Sequence, residues 1–200
     1  TTNSCPYSCS AGYEGTDCAA INYSITYEEN GGSSVADNTY TIETATFSLP
    51  TPTRNGYTFA GWYTASTGGT KVTQIAKGTT GNKTFYARWA DCGKGSWCAN
   101  GVKTSCTTYG ANYTTDSANA TKAEDCYLNV AGAYVRKGTT GTELVSCATG
   151  TYKGSHKAYY GTEYTCSSCS NKPTHSSYTG NATTNSCPYS CSAGYEGTDC

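Results

Sequence analysis

The sequence has little charge and few aliphatic residues, and both shortages limit what the chain can be. Methionine is absent, and leucine and phenylalanine each occur only three times. The charged residues are 13 Lys and Arg against 14 Asp and Glu, for a net charge of −1. Without a basic run or a basic–aromatic stripe, nothing predicts binding to nucleic acid. No apolar run approaches the roughly 20 residues of a membrane-spanning helix.

The shortage of aliphatic residues is matched by an excess of polar ones. Threonine and serine number 36 and 21, and tyrosine, with 19, is the dominant aromatic residue. Such a chain cannot bury an aliphatic core throughout, so we expect covalent cross-links where the core is thin. The sequence contains 13 cysteines, and this density indicates an oxidising compartment: secreted, cell-surface or periplasmic. It contains no signal peptide, so we expect any leader or anchor to lie outside these residues.

An internal repeat sets the organisation of the chain. Residues 1–18 read TTNSCPYSCSAGYEGTDC, and residues 183–200 have the identical sequence. Thr1 therefore corresponds to Thr183, a period of 183 − 1 = 182 residues, which indicates one tile of a tandem array. One period, residues 19–200, holds an even ten cysteines, so the odd cysteine is Cys5. We expect Cys5 to be unpaired here or bonded to the preceding repeat.

Residues 19–91 contain no cysteine and must fold on their own apolar residues. Period-two alternation predicts a strand over 21–27, and β-branched and aromatic residues predict strands over 39–47 and 84–89. No segment has helical periodicity. The predicted core consists of Ile21, Tyr23, Ile25, Ile42, Phe47, Leu49, Tyr57, Phe59, Trp62, Phe85 and Trp89.

Three spaced motifs carry a family resemblance. They are Asn30-Gly31-Gly32, the run from Leu49 to Tyr63 (LPTPTRNGYTFAGWY), and Thr84 to Trp89 (TFYARW). Residues 21–90 thereby resemble the internalin-type B repeat, also called the Listeria–Bacteroides repeat. The resemblance implies a β-grasp-like fold that occurs in tandem on bacterial surface proteins as a spacer or adhesive module. It implies no enzymatic activity.

The remainder, residues 91–200, is loop-rich and rich in cysteine. The pattern Tyr-Thr…Asn-Ala-Thr…Cys occurs twice, ending once at Cys126 and once at Cys187. It is a shorter and weaker repeat within the 182-residue period. This part resembles the Cys-rich repeats of growth-factor-receptor and ephrin-receptor ectodomains. Residues 191–200 resemble the last loop of an EGF module. The EGF match is partial, because three residues separate Cys187 and Cys191 where an EGF module has one.

The expected architecture is therefore mainly β, with a β-grasp-like domain joined to irregular disulfide-rich hairpin repeats. Its expected parts are residues 1–18, the end of a preceding Cys-rich module; residues 19–90, the B repeat; and residues 91–200, the Cys-rich module. The junctions at 18–21 and 89–92 are too short for flexible tethers, which favours a stiff array.

Two disulfide connectivities remain open, because pairing cannot be deduced from sequence. The favoured one is sequential: Cys9–Cys18, Cys92–Cys98, Cys106–Cys126, Cys147–Cys166, Cys169–Cys187 and Cys191–Cys200. The EGF-like alternative pairs Cys147 with Cys169 and Cys166 with Cys187, and keeps Cys191–Cys200.

Catalytic and metal chemistry find little support in the sequence. The CxxC pair Cys166 and Cys169 is interpreted as two half-cystines of different bridges rather than a zinc ligand pair. His156 and His175 lack ligand spacing, and no nucleophile motif is present. We therefore predict no enzyme, metal or cofactor. Asn-x-Ser/Thr sequons in the Cys-rich loops make Asn112, Asn119 and Asn181 the predicted glycosylation sites.

Two functional hypotheses remain. The first is a structural repeat unit, a stalk, spacer or fibre of a long secreted bacterial surface protein, whose partners are neighbouring repeats and, in filaments, further copies. The second is an adhesin repeat that binds a glycan or a cell-surface protein. Tyrosine offers contact area with a polar tip, and Tyr159-Tyr160 is the pair expected to bind such a ligand.

Reduction should separate the two parts of the chain. We expect reductant to unfold residues 91–200, because loops of this size each contribute about 2–4 kcal/mol through their disulfides. The cysteine-free residues 19–90 should stay folded. Thermal melts of the 200-residue chain with and without reductant measure this, and simultaneous loss of both parts under reductant would contradict it.

Overall fold

The computed structural model describes residues 8–200 and is mainly β, as the sequence predicts. The chain divides into two compact units, Thr1–Asp91 and Cys92–Cys200. Cys5 lies outside the described residues. Among residues 8–200, no helix is long and apolar enough to cross a membrane. Residues 8–18 lie in the same unit as residues 19–91.

In residues 8–91 the first unit has strands and no helix. In chain order they are β1 (Tyr13–Glu14), β2 (Ala19–Ala20), β3 (Tyr23–Glu28), β4 (Asn38–Tyr40), β5 (Phe47–Ser48), β6 (Tyr57–Tyr63), β7 (Lys71–Val72), β8 (Gln74–Ile75) and β9 (Lys83–Asp91).

A five-stranded mixed sheet in the order β4-β3-β9-β6-β7 organises this unit. Its central pair, β3 and β9, is parallel, with Ile25 opposite Lys83 and Tyr27 opposite Phe85. All its other neighbours are antiparallel. Two shorter pairs, β1–β2 and β5–β8, complete the unit. The strand expected over 39–47 is interrupted, because Thr41 and Thr44 hydrogen-bond each other's backbone in a turn.

A β-bulge in β6 decides which side chains reach the core. The register with β9 shifts between Phe59 and Gly61, which leaves Ala60 as the extra residue. Side chains alternate faces along a strand, so one extra residue brings Phe59 and Trp62 to the same side. Their rings meet edge to face, 5.5 Å apart. Gly61 has a φ of +131°, a conformation that side chains rarely adopt, which explains glycine at the bulge.

The core of the first unit overlaps the predicted one in part. Its buried members are Ile25, Tyr27, Tyr40, Leu49, Trp62, Ile75, Phe85 and Ala87, with Tyr23, Val35, Phe47, Phe59, Val72 and Trp89 packed around them.

Three predicted core residues lie outside that cluster for identifiable reasons. Ile42 packs against Gly12: a Cβ at Gly12 would lie 2.8 Å from Ile42 Cδ1. Ile21 donates its N–H to the carbonyl of Gly12. Tyr57 lies under the Arg54 guanidinium, whose Cζ is 3.9 Å from the ring centroid. Two of the three therefore serve the contact with residues 8–18.

The second unit consists of short hairpins and turns. Its strands are β10 (Ser96–Ala99), β11 (Val102–Ser105), β12 (Tyr127–Val130), β13 (Tyr134–Arg136), β14 (Leu144–Ser146), β15 (Thr151–Tyr152), β16 (His156–Tyr159), β17 (Ser167–Ser168), β18 (Ser176–Tyr178) and β19 (Tyr189–Cys191), and its two 3₁₀ helices are Cys106–Tyr109 and Ala123–Asp125.

Strand pairs in this unit are separate and antiparallel: β10–β11, β12–β16, β13–β14, β15–β17 and β18–β19. The weak internal repeat of the sequence appears in how these pairs are joined. Ala120 forms a parallel bridge with Trp97, and Ala182 forms one with Tyr152. In both copies of Asn-Ala-Thr, the alanine therefore connects its loop to an aromatic residue of an earlier strand.

A buried arginine holds the middle of the second unit. The Arg136 side chain is 1% exposed, and it donates only to neutral acceptors. These are the Tyr113 hydroxyl (2.6 Å) and the carbonyls of Gly138, Thr139, Ala158, Tyr159 and Thr162. A guanidinium has five N–H groups in a rigid fork, so one side chain can close three backbone segments at once.

We expect replacement of Arg136 to destabilise the second unit and to leave the first unit unaffected. Arg136→Met leaves several buried acceptors without donors and should lower the free energy of unfolding by about 3 kcal/mol. Arg136→Lys should also destabilise, because an ammonium has three donors and a different shape. Chemical denaturation of the full chain measures both effects.

The neighbouring residue provides the control. Lys137 forms an exposed ion pair with Glu143, with side chains 63% and 66% exposed. Lys137→Ala should therefore change the free energy of unfolding by less than about 1 kcal/mol. Equal effects of Arg136→Met and Lys137→Ala would contradict the structural role assigned to Arg136.

Candidate functional site

The twelve described cysteines form six sequential disulfides. They are Cys9–Cys18, Cys92–Cys98, Cys106–Cys126, Cys147–Cys166, Cys169–Cys187 and Cys191–Cys200. Cys166 and Cys169 belong to different bridges. Among residues 8–200, no three His, Cys, Asp or Glu side chains are grouped to hold a metal ion. Cys5, predicted to be unpaired or bonded to the preceding repeat, lies outside the described residues.

The three predicted glycosylation asparagines lie in different environments. Asn112 is exposed, in a turn with a φ of +68°. Asn119 is half-buried. The Asn181 Nδ2 donates to Ser146 Oγ at 2.8 Å and to the Cys147 carbonyl at 2.6 Å. A glycan on Nδ2 would replace one of those hydrogens, so modification of Asn181 competes with a contact of the fold.

The predicted tyrosine pair is divided between core and surface. Tyr160 packs on the Tyr109 ring at 4.1 Å, at the edge of the core formed around the Cys106–Cys126 bridge. Tyr159 lies next to Tyr127, with their ring centroids 5.4 Å apart. Adjacent residues of a strand end face opposite ways, so the Tyr159 ring lies beside Tyr127 and the Tyr160 ring lies against the core.

Tyr159 belongs to a polar–aromatic group that we call the Asp116 cluster: Asp116, Tyr127, Lys157 and Tyr159. Strands β12 and β16 place three of these side chains, since Tyr127 is directly opposite Tyr159 in the register. Asp116 Oδ1 accepts from the Lys157 ammonium and from the Tyr127 hydroxyl, the latter at 2.9 Å. Tyr159 donates to Oδ2 at 3.3 Å. Lys157 Nζ also lies 4.5 Å from the Tyr127 ring centroid.

These contacts shift three titrations. The hydrogen bond from Lys157, then that from Tyr127, holds the pKa of the Asp116 carboxyl below its usual value of 3.8. The same carboxylate raises the pKa of Lys157 above 10.5. It also raises the pKa of the Tyr127 phenol above 10.0. Asp116 is therefore ionised, Lys157 is charged and the Tyr127 phenol is protonated across the neutral range.

Two open depressions flank the strand pair β12–β16. One, of about 270 Å³, is lined by Asp116, Ser117, Asn119, Asp125, Tyr159 and their neighbours. The other, of about 500 Å³, is lined by Asn129, Val130, Ala131, Ser155, His156 and Lys157. A carboxylate, amides, hydroxyls and a tyrosine edge suit hydrogen bonding to a polyhydroxylated ligand.

Both histidines make contacts within the second unit. His156 Nδ1 lies 3.0 Å from the Gly154 carbonyl, and its ring contacts Tyr164. His175 stacks on Tyr195 with a centroid distance of 4.1 Å.

Sequence reasoning missed most of the Asp116 cluster. Asp116 and Lys157 are 41 residues apart and lie in ordinary polar surroundings, so nothing in the sequence joins them. The only signal would have been the strand over 156–159 itself, in which period two places Lys157 and Tyr159 on one face. It indicates which residues share the face of Tyr159, but it does not identify the partner strand.

Removing the Asp116 charge should make the free energy of unfolding depend less on pH in the acid range. Because the folded pKa of Asp116 lies below its unfolded value, its contribution is present above about pH 3.8 and lost as pH falls through the folded pKa. Lys157 and Tyr127 have raised pKa values, so their contributions persist until the pH rises through about 10.

We therefore expect Asp116→Asn to be less stable than wild type at neutral pH, with the difference shrinking in acid. Denaturation curves of the full chain at a series of pH values measure this. Glu163→Gln, at an exposed acidic residue of the same unit, is the control and should leave the curves nearly parallel. A gap between wild type and Asp116→Asn that is constant with pH would contradict the assignment.

Comparison with known proteins gives one match, to a family model, and it lies within the first unit. No curated protein and no solved structure is detectably similar to the chain. Residues 23–88, about a third of the sequence, match the family model of the Listeria-Bacteroides repeat domain, and the first unit is thus similar to that bacterial surface repeat.

Proposed function

We propose that the chain is a structural repeat unit, a stalk, spacer or fibre segment, of a long secreted bacterial surface protein. One observation carries the proposal: two identical 18-residue segments occur 182 residues apart, one in each unit. The family match at residues 23–88 supports a bacterial surface setting. The disulfides support an oxidising, extracellular location.

The energetics of the two units suit such a role. Each closes its own interior: the first through an aromatic core, the second through disulfides and Arg136. A unit that folds without its neighbours can be repeated along a chain, since stability then adds up repeat by repeat. We propose no enzymatic activity for this unit.

The second candidate is an adhesin repeat. It is favoured by the Asp116 cluster and the two depressions beside it, which offer tyrosine, carboxylate and amide groups to a sugar or a protein. In this reading Tyr159 is the aromatic contact, and glycosylation at Asn119 would occupy the same depression.

Binding experiments with the 200-residue chain separate the candidates. A spacer should bind neither a glycan array nor cells. An adhesin should bind saturably, and Tyr159→Ala should abolish binding while Tyr134→Ala, at an exposed tyrosine outside the cluster, should not. Saturable binding lost only with Tyr159→Ala would therefore favour the adhesin over the spacer.

Electron microscopy of the native secreted protein tests the spacer directly. A rod or thread with a regular axial repeat is the expected result. Isolated globular particles without a repeat would overturn the proposal, whatever the binding experiments show.

A further inference from the structure

The two copies of the 18-residue segment can be compared within one structure, because each ends in a disulfide loop. We call residues 9–18 the first loop and residues 191–200 the second loop. Their Cα–Cα distances across the disulfide are 5.3 and 5.2 Å. Gly12 and Gly194 both have a φ of +89°. The loop thus has one conformation in two different surroundings, which marks it as preorganised.

The first loop is docked on the domain that follows it. Tyr13 pairs with Ala20 in the two-stranded β1–β2 sheet, and the Gly12 carbonyl accepts from the Ile21 N–H at 2.9 Å. The Tyr13 hydroxyl donates to Glu43 Oε1 at 3.1 Å. Gly12 itself lies so close to Ile42 that a Cβ would be 2.8 Å from Ile42 Cδ1.

The second loop is docked on the unit that precedes it. Strand β19 pairs with β18, with Ser176 opposite Cys191. The Ser192 N–H donates to the His175 carbonyl at 2.7 Å, and the Tyr195 ring stacks on the His175 ring.

Within residues 8–200, the groups that dock the first loop make no equivalent contacts in the second loop. A Cβ at Gly194 would meet no atom within 4 Å. Tyr195 is 46% exposed and, with Glu196, lies in no strand. The second loop contacts the rest of the Cys-rich unit through the backbone of residues 189–192 and the face of the Tyr195 ring. The first loop contacts residues 19–91 through the Gly12 carbonyl, the strand edge at Tyr13-Glu14 and the Tyr13 hydroxyl. The two sets of contacts therefore do not compete.

We propose that the second loop is a two-sided clasp whose free side binds a second copy of residues 19–91, joined to Cys200 as Ala19 is joined to Cys18. Its partner surface is the one that Ile21, Ile42 and Glu43 form in this chain. The clasp fixes each Cys-rich unit to the next domain through a folded joint. This inference deepens the proposed array function and rests on it.

An extended chain tests the clasp: the 200 residues followed directly by a second copy of residues 19–91. In its NMR spectrum the amide signals of Gly194 and Tyr195 should move toward those of Gly12 and Tyr13. In the 200-residue chain the signals of Gly194 and Tyr195 should remain different from those of Gly12 and Tyr13. Unchanged signals in the extended chain would overturn the proposal, and this readout needs no substitution.

Glycine substitutions supply a second, matched test. Gly12→Ala and Gly194→Ala meet the same backbone strain, since their φ values are equal, but only Gly12→Ala presses on Ile42. In the extended chain the new Cβ of Gly194→Ala should clash with the added copy of Ile42. The substitution should therefore lower the melting temperature by about 5 °C more than it does in the 200-residue chain.

Gly197→Ala is the control within the same loop. Gly197 and its counterpart Gly15 both have positive φ, and a Cβ at either would meet no atom within 4 Å. Its effect should be the same in both chains. If Gly194→Ala behaves like Gly197→Ala, the clasp is wrong. The array function would still stand in that case, because its own test is the axial repeat seen by microscopy.

Discussion

The buried disulfides are the constraint on which the second unit depends. Cys92, Cys98, Cys106 and Cys126 are completely buried, and Cys187 is 1% exposed. In this unit the half-cystines therefore occupy the places that leucine and isoleucine fill in an ordinary core. Cross-links of this kind act chiefly by limiting the unfolded chain, which suits a sequence that has little apolar surface to bury.

Arg136 supplies the hydrogen-bond donors that the interior carbonyl groups of the second unit need. Loops without regular pairing leave carbonyl groups in the interior, and each carbonyl needs a donor. A guanidinium inside a ring of neutral acceptors meets that need with a single side chain. The first unit solves the same problem with indoles: Trp62 donates to the Pro50 carbonyl at 2.7 Å, and Trp89 to that of Glu29 at 2.9 Å. In both units, long side chains with donors replace missing secondary structure.

The sequence predicts class and organisation better than contacts. Alternation predicts β3, because one buried face imposes period two, and β-branched and aromatic residues predict β9. The same rule fails at β6, where the bulge at Ala60 changes which residues face inward. It also misses Tyr40, whose burial depends on its long-range pairing with Tyr23 across β3–β4. The β-grasp assignment stays a prediction, since the five-stranded sheet establishes only the mainly β class.

The candidate site was less predictable than the fold. Tyr159 could be singled out from sequence as an adjacent tyrosine pair, but its separation from Tyr160 follows from strand geometry. Asp116 and Lys157 meet only because β12 and β16 pair across an intervening hairpin. Arg136 has no local signal at all, because its surroundings, Val135 and Lys137-Gly138, look like those of any surface turn.

The parallel pairing of β3 and β9 has a mechanical consequence. These are the strands by which the main sheet of the first unit is entered and left, and they are adjacent, with Ile25 to Glu28 matched to Lys83 to Tyr86. Tension applied through the two ends of the domain pulls neighbouring parallel strands in opposite directions along their length. Their hydrogen bonds are then loaded together in shear, rather than opened one at a time as in a hairpin peeled from its end. A stalk exposed to flow would be loaded through this pair.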